Sequence, residues 1–253
     1  MGNIKSKKNN DSAFSRSMDE NEIDSYQVIH NVFRSIWNGN YMSPITPILL
    51  SGDAKVLDIG CGPGTWACDM SSDYRNSTFI GVETVPMFPN QKPTNVEFKL
   101  HEDFTSRFPF EDNSFDFIHL RFCWYSFTFD QWRTTAIKEL VRLLKPGGWL
   151  EFVDISLDGE HLGPVTTDFI TDRNSAPNLS SEVYHEMRKI PCGSWGGNLG
   201  VHHEQAVKGL ISKSIDHLPH KTSQKMMEQM LYEFKERRTY SYCHRIYVQK
   251  LEL

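Results

Sequence analysis

No two of the five cysteines, Cys61, Cys68, Cys123, Cys192 and Cys243, stand as C-x-x-C. The odd, scattered set points to free thiols in a reducing compartment rather than a disulfide frame. No apolar run approaches the length of a membrane span, and no secretory leader is read at the start, so an intracellular protein is expected. Positive charge is in short supply: 27 Lys and Arg stand against 32 Asp and Glu, a net charge of -5, which argues against direct nucleic-acid binding. The H-E-x-x-H spacing is missing as well. His202-His203-Glu204 and His217-x-x-His220 do not put two ligands on one helix face, and Cys61 and Cys68 lack metal spacing, so no metal is expected. What is present is ordinary for a soluble globular protein: 253 residues, 39% apolar and 23% charged, enough for one large domain with a buried core.

The first residues, "MGNIKSKK", carry Gly2 behind the initiator Met, Ser6 at the matching spacing, and Lys5, Lys7 and Lys8. That is the pattern of N-myristoylation at Gly2 beside a short basic patch. One acyl chain binds membranes marginally, and a lysine near an anionic leaflet adds about 1 kcal/mol, so the two together imply a weak, reversible anchor. A solvated tail that happens to have glycine second is the competing reading. Residues 1–20, rich in Asn, Ser and Lys, are expected to be disordered.

From Asp24 the apolar positions Tyr26, Ile29, Phe33, Ile36 and Trp37 recur at helical spacing, up to a stop at Gly39-Asn40. Short apolar strands then alternate with helices. Strands are expected at 55–60, 78–83, 95–100, 115–120 and 149–155, with helices over "TWACDMSSDY" and over 131–144. This alternation predicts an α/β fold with a mostly parallel sheet covered by helices on both faces. Beyond Ile155 the pattern weakens. "SSEVYHEM" reads as helix, "RKIP" as a short strand, "HEQAVKGLIS" and the stretch from Ser223 as helices, and "YCHRIYVQK" as an antiparallel strand at the sheet edge. Met227, Met230, Leu231 and Phe234 form a stripe that reads as core packing, and Arg237-Arg238 as a solvated pair. No internal repeat or second domain is seen: 21–253 reads as one domain, with a core at 50–155 and a cap and C-terminal part at 156–253.

The first strand ends in "DIGCGPG", with Gly60, Gly62 and Gly64 crowded behind Asp58. In an open parallel sheet, ligands bind beyond the carboxyl ends of the strands, where the strand order reverses. A dinucleotide loop seats pyrophosphate on a helix N-terminus. Here Asp58 stands two residues before the first glycine, where it repels phosphate, and Thr65 follows the third. D-x-G-x-G-x-G suits instead a ligand with a cationic group and no phosphate, such as S-adenosyl-L-methionine. Glu83, ending the second strand, is placed to accept from ribose hydroxyls. Asp103 in "HEDF" is placed to accept from an adenine amino group, beside the Phe104 amide.

Taken in order, DIGCGPG, GVE, HEDF, FPFEDNSFDFIHLR and LKPGGWLEF resemble the class I S-adenosylmethionine-dependent methyltransferases, over about residues 50–155. The resemblance implies a Rossmann-like fold with an antiparallel C-terminal strand. It implies a cofactor pocket of Asp58, Gly60, Cys61, Gly62, Gly64, Glu83, Asp103 and Phe104, with Arg121 near its mouth. "WNGNYMSPI", "GVETVPMFP" and "IPCGSWGGNLG" are similar to the fungal LaeA-like methyltransferases, implicated in regulating secondary metabolism and development. Between the fifth strand and "GSWGGNLG" the family has a longer helical stretch and a sixth strand, whereas this chain has a short Ser-, Asn-, Thr- and Pro-rich gap. A shortened cap is expected there.

Methyl transfer from a sulfonium needs near-attack geometry and exclusion of water, and a general base only where the acceptor must lose a proton. No Asn-Pro-Pro-Tyr or Asp-Pro-Pro-Tyr motif follows the fourth strand; "LRFCWYSF" stands there, with Trp124, Tyr125 and Phe127 as acceptor-pocket or plain core aromatics. His119 reads as a satisfied buried histidine and Cys61 as an exposed thiol with nothing to lower its pKa. No catalytic base is assigned. The expected acceptor is a small molecule, a lipid or a protein side chain. Two other readings are a catalytically silent S-adenosylmethionine-binding regulator acting through a protein partner and, disfavoured by Asp58 and Thr65, an NAD-dependent oxidoreductase. The expected location is the cytoplasm, with membrane association if Gly2 is acylated and the nucleus left open.

Overall fold

A computed structural model describes residues 20–123, 126–156, 178–214 and 224–252. Seven strands form one sheet in the order β3-β2-β1-β4-β5-β7-β6. They are β1 (Lys55–Ile59), β2 (Thr78–Glu83), β3 (Val96–Leu100), β4 (Phe115–Arg121), β5 (Leu144–Ser156), β6 (Leu179–Pro191) and β7 (Tyr240–Lys250). β1 pairs parallel with β2 on one side and β4 on the other, and β5 continues parallel beyond β4. Strand order therefore reverses at β1, and the crevice between the carboxyl ends of β1 and β4 is where ligands of such sheets bind.

The helices are α1 (Glu20–Trp37), α2 (Thr46–Ser51), α3 (Thr65–Asp73), α4 (Phe129–Gln131), α5 (Ile137–Leu143), α6 (Gly197–Ser214) and α7 (Gln224–Glu236). A π-helical turn, Trp132–Ala136, joins α4 to α5, so the helix expected over 131–144 is one run with a widened turn inside it. On one face of the sheet, Leu57, Ile59, Ile80, Val82, Ile118 and Leu120 pack against Ile137, Leu140 and Phe104. On the other, Val56, Phe79 and Phe117 meet Trp66 and Met70 of α3 and Leu49 of α2. Ile29, Phe33 and Trp37 of α1 pack with Val153, Ile190 and Ala206. Each such side chain, fully buried, adds about 1.5–3 kcal/mol.

Four expectations are corrected. "SSEVYHEM" is not helical: it lies inside β6, which pairs antiparallel with β7 from Val183 to Pro191. The stretch read as too short for a sixth strand therefore supplies one of 13 residues. β7 is antiparallel as expected, but β6 covers its outer side, so β7 is not the sheet edge. The "KPGG" turn bulges within β5 rather than preceding it: the pairing jumps from Phe115↔Leu144 to Phe117↔Trp149. The N-terminal tail with Gly2, Lys5, Lys7 and Lys8 lies outside the described residues, as do Trp124, Tyr125, His217, His220 and the side chains of Met227 and Met230. Among the described residues, no helix is long and apolar enough to cross a membrane.

Candidate functional site

The loop between β1 and α3 turns on three glycines in the left-handed region, Gly60 (φ +67°), Gly62 (φ +57°) and Gly64 (φ +78°). Residues with a Cβ are strained there. A Cβ on Gly60 would stand 2.6 Å from Cys123 Sγ, one on Gly62 3.2 Å from the Tyr26 ring, and one on Gly64 would overlap the Phe98 ring. The room left by the missing side chains thus admits the protein's own groups: Cys123 after β4, Tyr26 from α1 and Phe98 from β3.

The loop's amides are already engaged. Gly60 and Cys61 N–H donate to Val82 O at 2.9 and 3.1 Å, and Gly64 N–H to Cys61 O at 3.0 Å. Gly62 N–H donates to Glu83 Oε2 at 2.9 Å. The amides of the three glycines are thus spent within the protein.

Carboxylates surround the loop. Glu83, at the end of β2, also accepts from Thr84 N–H (2.7 Å) and Thr84 Oγ1 (3.0 Å) through Oε1. An ionised carboxylate has about four lone-pair sites, so capacity remains for ribose hydroxyls. Asp58, 3% exposed on β1, accepts from His119 Nδ1 at 2.8 Å through Oδ1, while its buried Oδ2 has no partner among the described residues. Burial pushes this carboxyl up to about 7, with Arg121 pulling it back. His119 lies flat on Trp66 with ring centroids 3.9 Å apart, and burial holds it neutral, well below its usual range.

Arg121, ending β4, donates to His30 Nδ1 at 3.2 Å, and His30 Nε2 donates to Asp69 Oδ2 at 3.1 Å. Burial lowers His30 to about 4 and Arg121 to about 10. α1 is thereby tied across the site to α3, with Arg34 also donating to Asp69 at 3.2 Å. Next to Arg121, Phe122 takes φ +58°, a left-handed conformation unusual for so bulky a residue and a mark of local strain at the mouth of the crevice.

Asp58, Gly60, Cys61, Gly62, Gly64, Glu83 and Arg121 therefore converge around the first turn after β1. Asp103 and Phe104 stand on the next loop, joined to it where His101 N–H donates to Glu83 O at 2.9 Å. Asp103 is exposed and accepts from Thr105 N–H and Oγ1, which hold its carboxyl below the usual range. Phe104 is buried in a row of rings with Phe108, His101 and Phe127. Phe127 packs on Trp132 at 4.6 Å as a core residue. Cys61 is not an exposed thiol: it is 7% exposed, and burial raises it well above the ordinary thiol range. Among the described residues, no group of three or more His, Cys, Asp or Glu could hold a metal ion.

Sequence reasoning missed Tyr26, His30 and Cys123, which reach the site from elsewhere in the chain. It also missed the Asp58–His119 pair. Its signal was readable: aligning "VLDI" with "FIHL" as neighbouring parallel strands puts Asp58 beside His119. The acceptors fit a ligand with a cationic group for Asp58 Oδ2 and a diol for Glu83. S-adenosyl-L-methionine carries both.

Comparison with known proteins agrees. Residues 56–148 match a family described as "Methyltransferase domain". The chain is 31% identical over 141 residues to the secondary metabolism regulator LAE1 of Cochliobolus heterostrophus, covering 55% of this chain and 45% of that one. It is 29% identical over 231 residues to laeA of Aspergillus niger, covering 79% and 59%. It is 27% identical, with the same coverage, to an Emericella nidulans protein named protein-methionine methyltransferase laeA. The chain thus spans about half the length of these curated relatives. Among solved structures, the [4+2]-cyclase SpnF has a TM-score of 0.51 at 14% identity, with 90% of this chain and 96% of that one covered. A phosphoethanolamine N-methyltransferase 2 of Haemonchus contortus, solved with S-adenosyl-L-methionine, scores 0.50 at 17% identity, covering 92% and 59%. These structures share the Rossmann-like fold of the class I methyltransferases.

Proposed function

We propose that this chain, which carries a methyltransferase domain and is related to the LaeA regulators, binds S-adenosyl-L-methionine at the β1–β2 loops and transfers its methyl group to an acceptor at the carboxyl ends of β4 and β5. One observation carries the reading: a buried carboxylate, Asp58, whose Oδ2 has no partner among the described residues, beside a loop whose glycine amides are engaged and whose neighbouring strand ends in Glu83. When bound, the cofactor supplies an electrophilic methyl on a sulfonium, displaced in line. Glu83 orients the ribose, Asp103 and the Phe104 amide meet the adenine, and Asp58 and Arg121 face the amino-acid end. Tyr26, lying over Gly62, covers the loop and excludes water.

No catalytic base is assigned among the described residues, and a thioether acceptor would need none. A thioether has no proton to lose: its sulfur lone pair takes the methyl, a new sulfonium forms, and S-adenosylhomocysteine leaves, with charge conserved. The name of the Emericella nidulans relative supports a protein methionine as acceptor; a small molecule or lipid is the alternative. A second reading, a silent cofactor-binding regulator acting through a protein partner, is favoured by the relatives named as regulators. We place the protein in the cytoplasm, with weak membrane association through an acylated Gly2 and Lys5, Lys7 and Lys8, which intact-mass measurement from the native host tests.

Calorimetry with S-adenosylmethionine against NAD tests the cofactor: binding of the first and not the second is expected, and no affinity for the first overturns the reading. Incubation with methyl-labelled cofactor and cell extract tests the reaction. Label transfer that is lost in Gly62→Arg supports the enzyme, and cofactor binding without any transfer supports the silent regulator.

A further inference from the structure

The Asp58–His119 pair is more than a satisfied core contact. His119 is 1% exposed and Asp58 3% exposed, and they are register partners on β1 and β4 just below the crevice. Stacking on Trp66, nearly coplanar at 5°, fixes the imidazole plane, and Trp66 is itself held by its Nε1–H bond to Asn40 O at 2.9 Å. The ring can then present only one nitrogen to Asp58. Nδ1 meets Oδ1 at 2.8 Å, while Nε2 has no partner among the described residues. A buried carboxylate needs a donor to remain ionised. With the proton on Nδ1, His119 supplies one at Oδ1, and Oδ2 is left without a partner among the described residues.

Resting on the cofactor reading above, we propose that His119 is a positioning residue for the cofactor's amino-acid end: its Nδ1–H holds Asp58 as a carboxylate whose free Oδ2 receives the α-ammonium group. His119 itself touches no cofactor atom. Its effect reaches the ligand only through Asp58, so it is confined to ligands that carry the ammonium.

The charged and titratable groups around the pair are compatible with this role. Arg121 of β4 and His30 of α1 face Asp58, and burial leaves His30 neutral at pH 7. Arg121 also faces His119, together with Glu151 of β5 and Arg245 of β7. The Cys61 and Cys68 thiols lie near Asp58 and are raised by burial first, with Asp58 adding to the rise, and Glu83 of β2 stands beside Cys61. Between pH 8 and 6 Asp58 is therefore the member of the cluster that changes charge, in line with its rise to about 7. Binding of a cation to the ionised form displaces its proton.

The test uses two probes on the full chain. S-adenosylhomocysteine has the amino-acid end and no transferable methyl; 5′-methylthioadenosine shares the nucleoside and lacks that end. Calorimetry on the unmodified protein should show S-adenosylhomocysteine affinity falling about tenfold from pH 8 to 6, with proton release, and 5′-methylthioadenosine affinity unchanged. His119→Phe keeps the stacked ring and removes the donor. It should weaken S-adenosylhomocysteine at pH 7.5 by about tenfold, move the pH midpoint upward, and leave 5′-methylthioadenosine unaffected. His119→Asn, whose amide nitrogen replaces Nδ1, should recover most of the loss. Equal weakening of both probes, or no change in a folded His119→Phe, overturns the proposal. If His119→Phe does not fold, a flat pH profile in the unmodified protein, or a 5′-methylthioadenosine profile matching that of S-adenosylhomocysteine, overturns it. If neither probe binds the unmodified protein, the cofactor reading fails instead.

Discussion

Glu151, fully buried on β5, accepts hydrogen bonds from the main-chain N–H of Met42 (3.0 Å) and of Ser43 (2.8 Å), more than a hundred residues away in the chain. Ser43 Oγ donates to the same oxygen at 2.6 Å, and Arg245 Nε lies 3.3 Å from the other. Removing one partner of a buried ion pair strands the other. Glu151→Ala should therefore destabilise the protein by about 3–5 kcal/mol, measured by urea unfolding. Glu151→Gln, which keeps an acceptor for the Ser43 amide, should cost less.

Lys250 is the last residue of β7. Its ammonium donates to Val141 O (2.8 Å), Leu144 O (2.7 Å) and Asn113 Oδ1 (2.7 Å), capping the carbonyls where α5 ends. Lys250→Met keeps the stem and loses three charge-assisted bonds. It should lower stability by about 1.5–3 kcal/mol in denaturant titrations without altering ligand affinity.

Gly64 answers two constraints at once, its positive φ and the Phe98 ring behind it. Gly64→Ala is expected to cost more than about 2 kcal/mol. Phe98→Ala in the same chain removes the collision and not the backbone strain, so the double variant should recover only part of the loss. A double-mutant cycle of unfolding free energies reads the coupling directly.

Glu83→Ala removes the carboxylate that receives Gly62 N–H and is placed to meet the ribose. It should weaken S-adenosylhomocysteine and 5′-methylthioadenosine alike, by about tenfold or more, unlike the His119 variants. Calorimetry with both probes separates the two roles.

Acid should unfold the protein through its histidines. Burial holds His30, His203 and His244 down to about 4, below the ordinary value near 6.5. Between those limits the unfolded chain binds these three protons, and a fourth at His119, that the native state refuses, so stability falls as pH drops. Asp58, raised to about 7, takes a proton in the native state over the same range and offsets one of them. Three net protons give a slope of about 4 kcal/mol per pH unit, read from urea unfolding at pH 7.5, 6 and 5. His203→Gln should flatten it.

β1, β2 and β4 were legible because each is a short apolar run bounded by turn residues and buried on both faces, a pattern that needs no knowledge of neighbours. The glycine loop was legible as well, since its conformations admit little but glycine. β6 was not. "SSEVYHEM" mixes Glu, Met and a single Val with no clear alternation, and only its antiparallel ladder with β7 makes it extended. Phe98 and Tyr26 behind the glycines were equally invisible, because packing between distant segments leaves no local mark.

By itself, then, the sequence determined the local matters: which segments extend, where the chain must turn left-handed, and which carboxylates end the strands. Only the tertiary structure decided that Asp58 faces His119, that α1 closes over the loop, and that the loop amides are turned inward. Strand periodicity and glycine geometry are properties of neighbouring residues, whereas a carboxylate's charge and open lone pair depend on whatever burial brings beside it.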